Sequence, residues 1–88
     1  MDLKYWLDLN KRLENLGALE TRVLITIGFE GVQFHVTAVL NSAITYQRII
    51  TVSREMVEDA RFDTSGYVMQ KMMDAFEKAL GNQGNEHA

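Results

Sequence analysis

The sequence predicts a two-layer α+β fold: a three-stranded antiparallel meander with N- and C-terminal helices packed on one face, in the order α-β-β-β-α-α. Apolar residues alternate with period two through "RVLITIGFEGVQFHVTAVL" (Arg22 to Leu40) and again through "ITYQRIITV" (Ile44 to Val52), the mark of strands covered on one face. On either side, leucines, methionines and aromatics recur at three- and four-residue spacing, the mark of amphipathic helices. Glycines and short polar clusters punctuate these runs.

The first helix spans residues 2–16. Leu3, Trp6, Leu7, Leu13 and Leu16 form its expected core stripe, flanked by Tyr5, Leu9 and Arg12. Asp2 suits the positive N-terminal end of the helix dipole, and Gly17 can adopt the left-handed conformation that ends a helix. Trp6, on the stripe, is assigned to the core.

In the first hairpin, a two-residue loop at Glu30–Gly31 sets Phe29 opposite Val32, Ile27 opposite Phe34 and Ile25 opposite Val36, all on one face. Gly31 supplies the positive φ that a primed turn needs, whereas Glu30 fits it poorly; a three-residue loop with a bulge is the alternative. "NSA" (Asn41 to Ala43) makes the second turn and aligns Ala38 with Tyr46, Phe34 with Ile50 and Val32 with Val52. Ser53 caps a short helix, "REMVEDA". After "RFDTSG", a last helix from about Gly66 to Leu80, capped by Asp63, Thr64 or Ser65, carries Met69, Met72, Met73, Phe76 and Leu80 on its stripe, and Gly81 is expected to stop it. Residues 1–80 thus form one domain and 81–88 are expected to be a disordered tail.

Composition narrows the function. With 88 residues the chain holds a single, thin-cored domain. It has no cysteine, no apolar run long enough to span a bilayer and no signal-peptide core at "MDLKYWLDLNK", so a cytoplasmic protein without membrane attachment is expected. The formal net charge is −3, and Lys11–Arg12 is the only adjacent cationic pair. Direct nucleic-acid binding, which draws on clustered cations, is therefore not expected; an acidic, dispersed charge balance suits a protein partner, including a basic nucleic-acid-binding one.

Chemistry-bearing residues are sparse. His35 has no cysteine or second ordered histidine to complete a metal site, and His87 lies in the tail. Ser42, Ser53 and Ser65 occupy turn or cap positions with no base beside them. "GFEG" has the spacing of a backbone-clamping loop, but it joins strands and carries a glutamate. The sequence therefore predicts no catalytic residue, no cofactor and no metal. Two surfaces remain as contact candidates. One is the uncovered sheet face, carrying Leu24, Thr26, Gln33, His35, Thr37, Val39, Gln47 and Ile49, with Arg22 as its only full charge. Interface centres are depleted of charge in this way. The other is the acidic set Glu55, Glu58, Asp59 and Asp63, able to mimic nucleic-acid phosphate toward a basic partner. Arg48 falls on the core face opposite Val36; it is expected to snorkel past the sheet edge or to pair with Glu55, Glu58 or Asp59, with an outward-turning bulge near Gln47 as the alternative.

The α-β-β-β-α order resembles that of double-stranded RNA-binding domains, which carry a basic cluster at the start of the last helix. In "RFDTSGYVMQKMMD" only Lys71 stands there, so that activity does not transfer. With its size, acidity, topology over residues 2–80 and the amphipathic ending "KMMDAFEKALGN", the chain also looks like the small phage-encoded proteins of the anti-CRISPR inhibitor type. That resemblance implies a non-enzymatic inhibitor or regulator acting by occupying a partner's surface, and it assigns no site residues. A homodimeric structural or assembly protein, joined through the uncharged face or the open strand edges, is the second expectation. A nucleic-acid binder of the RNA-binding topology is the third.

Overall fold

A computed structural model describes residues 2–41 and 43–85. Helix α1 is Leu3–Asn15; strands β1 (Glu20–Gly28), β2 (Gly31–Val39) and β3 (Thr45–Ser53) follow, then helices α2 (Arg54–Glu58) and α3 (Thr64–Asn85). The sheet is antiparallel in the order β1-β2-β3, so the expected α+β meander is the observed one.

Local chemistry sets the element ends. Asp2 Oδ1 accepts from the Tyr5 N–H and caps α1. At its other end Gly17, at φ +105°, lets its own N–H reach Glu14 O and the Ala18 N–H reach Leu13 O, both at 3.0 Å. This is the double closure of a Schellman end. Asn41 Oδ1 accepts from the Ala43 and Ile44 N–H groups and shapes the β2–β3 turn. Ser53 Oγ accepts from the Met56 N–H at the start of α2, and Asp63 Oδ1 accepts from the Gly66 N–H at the start of α3. Of the three candidate caps for the last helix, Asp63 is the one in place.

Helix α3 passes through Gly81 to Asn85. A mid-helix glycine costs about 1 kcal/mol but ends a helix only where the chain turns left-handed, so the expected stop at Gly81 is corrected. Residues 86–88, with His87, lie outside the described residues, as does Ser42.

The β2–β3 register is as the alternation predicts, with Val32 opposite Val52, Phe34 opposite Ile50 and Ala38 opposite Tyr46. The β1–β2 register is not. Ile25 lies opposite Phe34, Ile27 opposite Val32 and Val23 opposite Val36, around a loop at Phe29–Glu30. The offset is two residues, which keeps every side chain on its face; periodicity alone cannot detect such a slip. Among the described residues no non-glycine residue has positive φ, so the turn at Phe29–Glu30 is not a primed one. Gly31, the first residue of β2, instead takes φ +145°, with backbone of the β3–α2 junction packed against it: a Cβ there would collide with Val52 O and lie 2.9 Å from Ser53 Cα.

The core sits between sheet and helices: Leu9 and Leu13 from α1, Phe34, Val36, Ala38 and Val52 from the sheet, and Val68, Met72, Phe76 and Leu80 from α3. Trp6 packs partly buried against it, its ring 5.9 Å from that of Phe34. The α1 stripe is rotated from the expected one. Leu9 is fully buried while Leu3 and Leu7 are 80% and 68% exposed. At 3.6 residues per turn, Leu7 stands about 160° around the helix from Leu9, so the two cannot share one buried line.

Candidate protein-interaction surface

Alternation in three aligned strands puts the predicted contact residues on one open face. Leu24, His35 and Ile49 form one cross-strand row; Thr26, Gln33 and Thr51 form the next toward the hairpin tip; Arg22, Thr37 and Gln47 form the row on the other side; and Val39 pairs with Thr45 and Glu20. The hairpin pairing expected from the sequence would set β1 two residues out of place in these rows. All eight predicted residues are still gathered on this face. Leu24 and Ile49 are 62% and 55% exposed on either side of a half-buried His35. His35 Nε2 lies 3.2 Å from Gln47 Oε1, a diagonal contact between neighbouring strands. Strand β1 begins at Glu20, earlier than the alternating run suggests, and Glu20 Oε2 accepts from Arg22 Nη2 at 3.2 Å. The cation expected to stand alone on this face is thus paired at its margin, and the centre is uncharged.

The acidic set has other work. Glu58 holds Arg54 at 2.9 Å. Asp59 Oδ1 accepts from the Arg61 N–H, with Arg61 Nε at 3.5 Å, and Asp63 caps α3. Three of the four carboxylates are therefore committed locally, and only Glu55, in the first turn of α2, is spared for a partner. Arg48 lies opposite Val36 as expected and its side chain is exposed at the outer edge of β3, which fits snorkelling. Among the described residues no ion pair joins it to Glu55, Glu58 or Asp59.

One surface was placed in the core by periodicity and is found outside it. On the helix side of β1, Ile25, Ile27 and Phe29 are 43%, 81% and 94% exposed. The cause is a mismatch of lengths. Thirteen residues of α1 rise about 20 Å at ~1.5 Å each, whereas nine residues of β1 extend about 30 Å at ~3.3 Å each. Helix α1 runs back along β1 from the Gly17 turn and ends before the hairpin tip, and α2 packs on β2 and β3. The tip therefore borders an open groove of about 470 Å³ walled by Ile27, Phe29, Val32 and Val57, with Arg54 and Glu58 at its rim. Multiplying residue number by rise, element by element, is the sequence signal that finds it.

Tyr5 links two helices. Its hydroxyl donates to Ser65 O at 2.9 Å, tying α1 to the first turn of α3. Burial, and secondarily the nearby Asp63 carboxylate, push its pKa from 10.0 up to about 12. Thr21 Oγ1 is buried without a hydrogen-bond partner. Among the described residues no group of three or more histidine and acidic side chains could hold a metal ion, and no helix is long and apolar enough to cross a membrane. Comparison with known proteins leaves the chain defined by this geometry: no family model, curated protein or solved structure matches it.

Proposed function

We propose that this domain is a non-enzymatic protein-interaction module that occupies a partner's surface, in the manner of small phage-encoded inhibitors of the anti-CRISPR type, and that it works in the cytoplasm of the cell that houses it. The open sheet face supports this. A Leu24–His35–Ile49 row crosses all three strands, and the nearest full charges, Glu20 and Arg22, neutralise each other at the margin. Solvent-facing strands ordinarily carry charges that discourage contact, and interface centres lack them. The acidic end supports a partner less well, because most of its carboxylates already bond to neighbours.

The test is affinity capture from the source cell. Thr37→Glu with Gln47→Lys places two new charges directly opposite one another, where they pair and preserve the sheet. The double variant is expected to lose the captured partner, while neutralising Glu55 and Glu58 leaves capture intact. Retention of the partner by the double variant overturns the sheet-face site. Loss in the acid-neutralised variant instead, with binding that weakens in salt, moves the site to the acidic end and to a basic, nucleic-acid-binding partner.

A further inference from the structure

Strand β1 is an outer strand of the sheet, bonded to β2 on one side only. Leu40 N–H bonds to Ile44 O and Arg54 N–H bonds to Glu30 O, each at 3.0 Å, at the two ends of the β2–β3 ladder. Hydrogen-bonded and non-bonded pairs alternate in an antiparallel ladder, so the even residues of β2 bond to β3 and its odd residues bond to β1. Their β1 partners are Glu20, Arg22, Leu24, Thr26 and Gly28. Thr21, Val23, Ile25 and Ile27 consequently aim their backbone N–H and C=O groups away from the sheet. Few of the usual protections of an edge are present: β1 has no proline and no lysine, its pairing with β2 runs unbroken, and its charges, Glu20 and Arg22, stand together at one end and pair with each other.

The side chains along this edge divide into two unlike halves. Toward the tip stand Ile25, Ile27 and Phe29, bare because α1 is too short to reach them. Toward the other end, the outward leucines Leu3 and Leu7 of α1 share a groove of about 370 Å³ with Leu19, Thr21 and Val23. Leu3, Leu7 and Leu19 are 80%, 68% and 74% exposed. One half offers projecting apolar side chains and the other offers an apolar groove. An antiparallel second strand brings the projecting half of each copy to the groove half of the other.

We infer that β1 pairs antiparallel with β1 of a second copy about a two-fold axis at Leu24, forming a six-stranded sheet with both helical layers on one side. This register sets Val23 opposite Ile25 and Thr21 opposite Ile27, so all four outward-facing residues of each strand are used, for about eight new backbone hydrogen bonds. Arg22 then faces Thr26 and Glu20 faces Gly28, with no like charges in contact. Sliding the pairing by four residues toward the N-terminus of β1 would set Arg22 against its own copy, which disfavours that register. At about 200 Å² for a fully exposed large side chain, Leu3, Leu7, Leu19, Ile25, Ile27 and Phe29 expose on the order of 800 Å² per copy, the size one partner contributes to a standard stable interface. The two-fold axis also joins the open faces. Ile49, His35 and Leu24 of one copy run directly into Leu24, His35 and Ile49 of the other, doubling the uncharged surface in a symmetric form. This inference concerns the edge and the helix side of β1, and it stands or falls apart from the partner proposed for the sheet face.

The chain has no cysteine, so Leu24→Cys introduces a single thiol. Opposed residues of a non-hydrogen-bonded antiparallel pair lie about 4.5 Å apart at Cα, within the roughly 4.4–6.8 Å that a disulfide spans. Under mild oxidation Leu24→Cys is expected to give a covalent dimer in most of the protein, at least tenfold faster than Ile49→Cys on the opposite edge. Light scattering of the unmodified protein is expected to give twice the 10.1 kDa chain mass. Ile27→Asp, at a site already 81% exposed within one chain, is expected to keep its circular dichroism and weaken dimerisation at least 100-fold. A monomer at about 0.5 mM, where even a 10 μM Kd leaves a dimer, overturns the inference. So does cross-linking at Ile49→Cys as fast as at Leu24→Cys, or an Ile27→Asp protein that remains dimeric.

Discussion

Replacing Gly31 with alanine should damage this domain more than any other glycine substitution in the sheet. Two independent costs meet at this position. A φ of +145° is essentially glycine's alone, and an L-residue held there carries about 1–3 kcal/mol of strain. The added Cβ would also collide with the Val52 carbonyl oxygen and stand 2.9 and 3.0 Å from Ser53 Cα and Arg54 N. All three are backbone atoms, so relief requires β2 to part from the β3–α2 junction and strains the bond from Arg54 N–H to Glu30 O, worth about 1 kcal/mol net. Together these give a loss of about 2–4 kcal/mol. A chain of 88 residues has about 4–13 kcal/mol of stability in all. Urea unfolding followed by Trp6 fluorescence reports the change, because the single tryptophan packs on Phe34 of β2. With a slope near 1 kcal/mol/M, the midpoint should fall by roughly 2 M or more. Gly28→Ala is the internal control: it has negative φ and no atom within 4 Å of the added carbon, and should shift stability by less than about 0.5 kcal/mol. Gly17→Ala meets open space but keeps a φ of +105°, and should fall between them at about 1 kcal/mol. If Gly31→Ala unfolds within 0.5 kcal/mol of the parent, or Gly28→Ala is equally harmful, close backbone approach is not what glycine provides here.

The remaining predictions concern polar groups between packed elements. Thr21→Val keeps the branched shape and removes a buried hydroxyl that has no partner, so the urea midpoint should rise by about 1 kcal/mol equivalent with an unchanged slope; a loss of stability would show that the hydroxyl is bonded. Tyr5→Phe should cost about 0.5–1.5 kcal/mol at neutral pH through the lost bond to Ser65 O. Because the folded-state pKa of Tyr5 is raised, its neutral form is favoured in the native chain. Its contribution is therefore complete below pH 10 and lost as pH climbs toward 12. The thermal midpoint should accordingly fall with pH over that window in the parent and less so in Tyr5→Phe; equal pH dependence in the two would refute the assignment.

Much of this domain was legible in the amino-acid sequence, for reasons that are local. Period-two alternation determines which face a strand residue occupies, so the uncharged set around His35 can be read from the sequence alone. The β2–β3 pairing followed because the Asn41 turn leaves one register that matches both faces. Asp2, Gly17 and Ser53 act on backbone groups within three or four residues of themselves; Gly17 and Ser53 hold their expected roles, and Asp2, expected to complement the helix dipole, is the residue that caps α1. Tertiary structure decided what local pattern cannot. Alternation is blind to a slip of two, so the β1–β2 register waited on the backbone packing around Gly31. An apolar residue at the right parity is buried only where another element reaches it. Ile25, Ile27 and Phe29 have the pattern of core residues and remain exposed because a helix gains less than half the length per residue that a strand does.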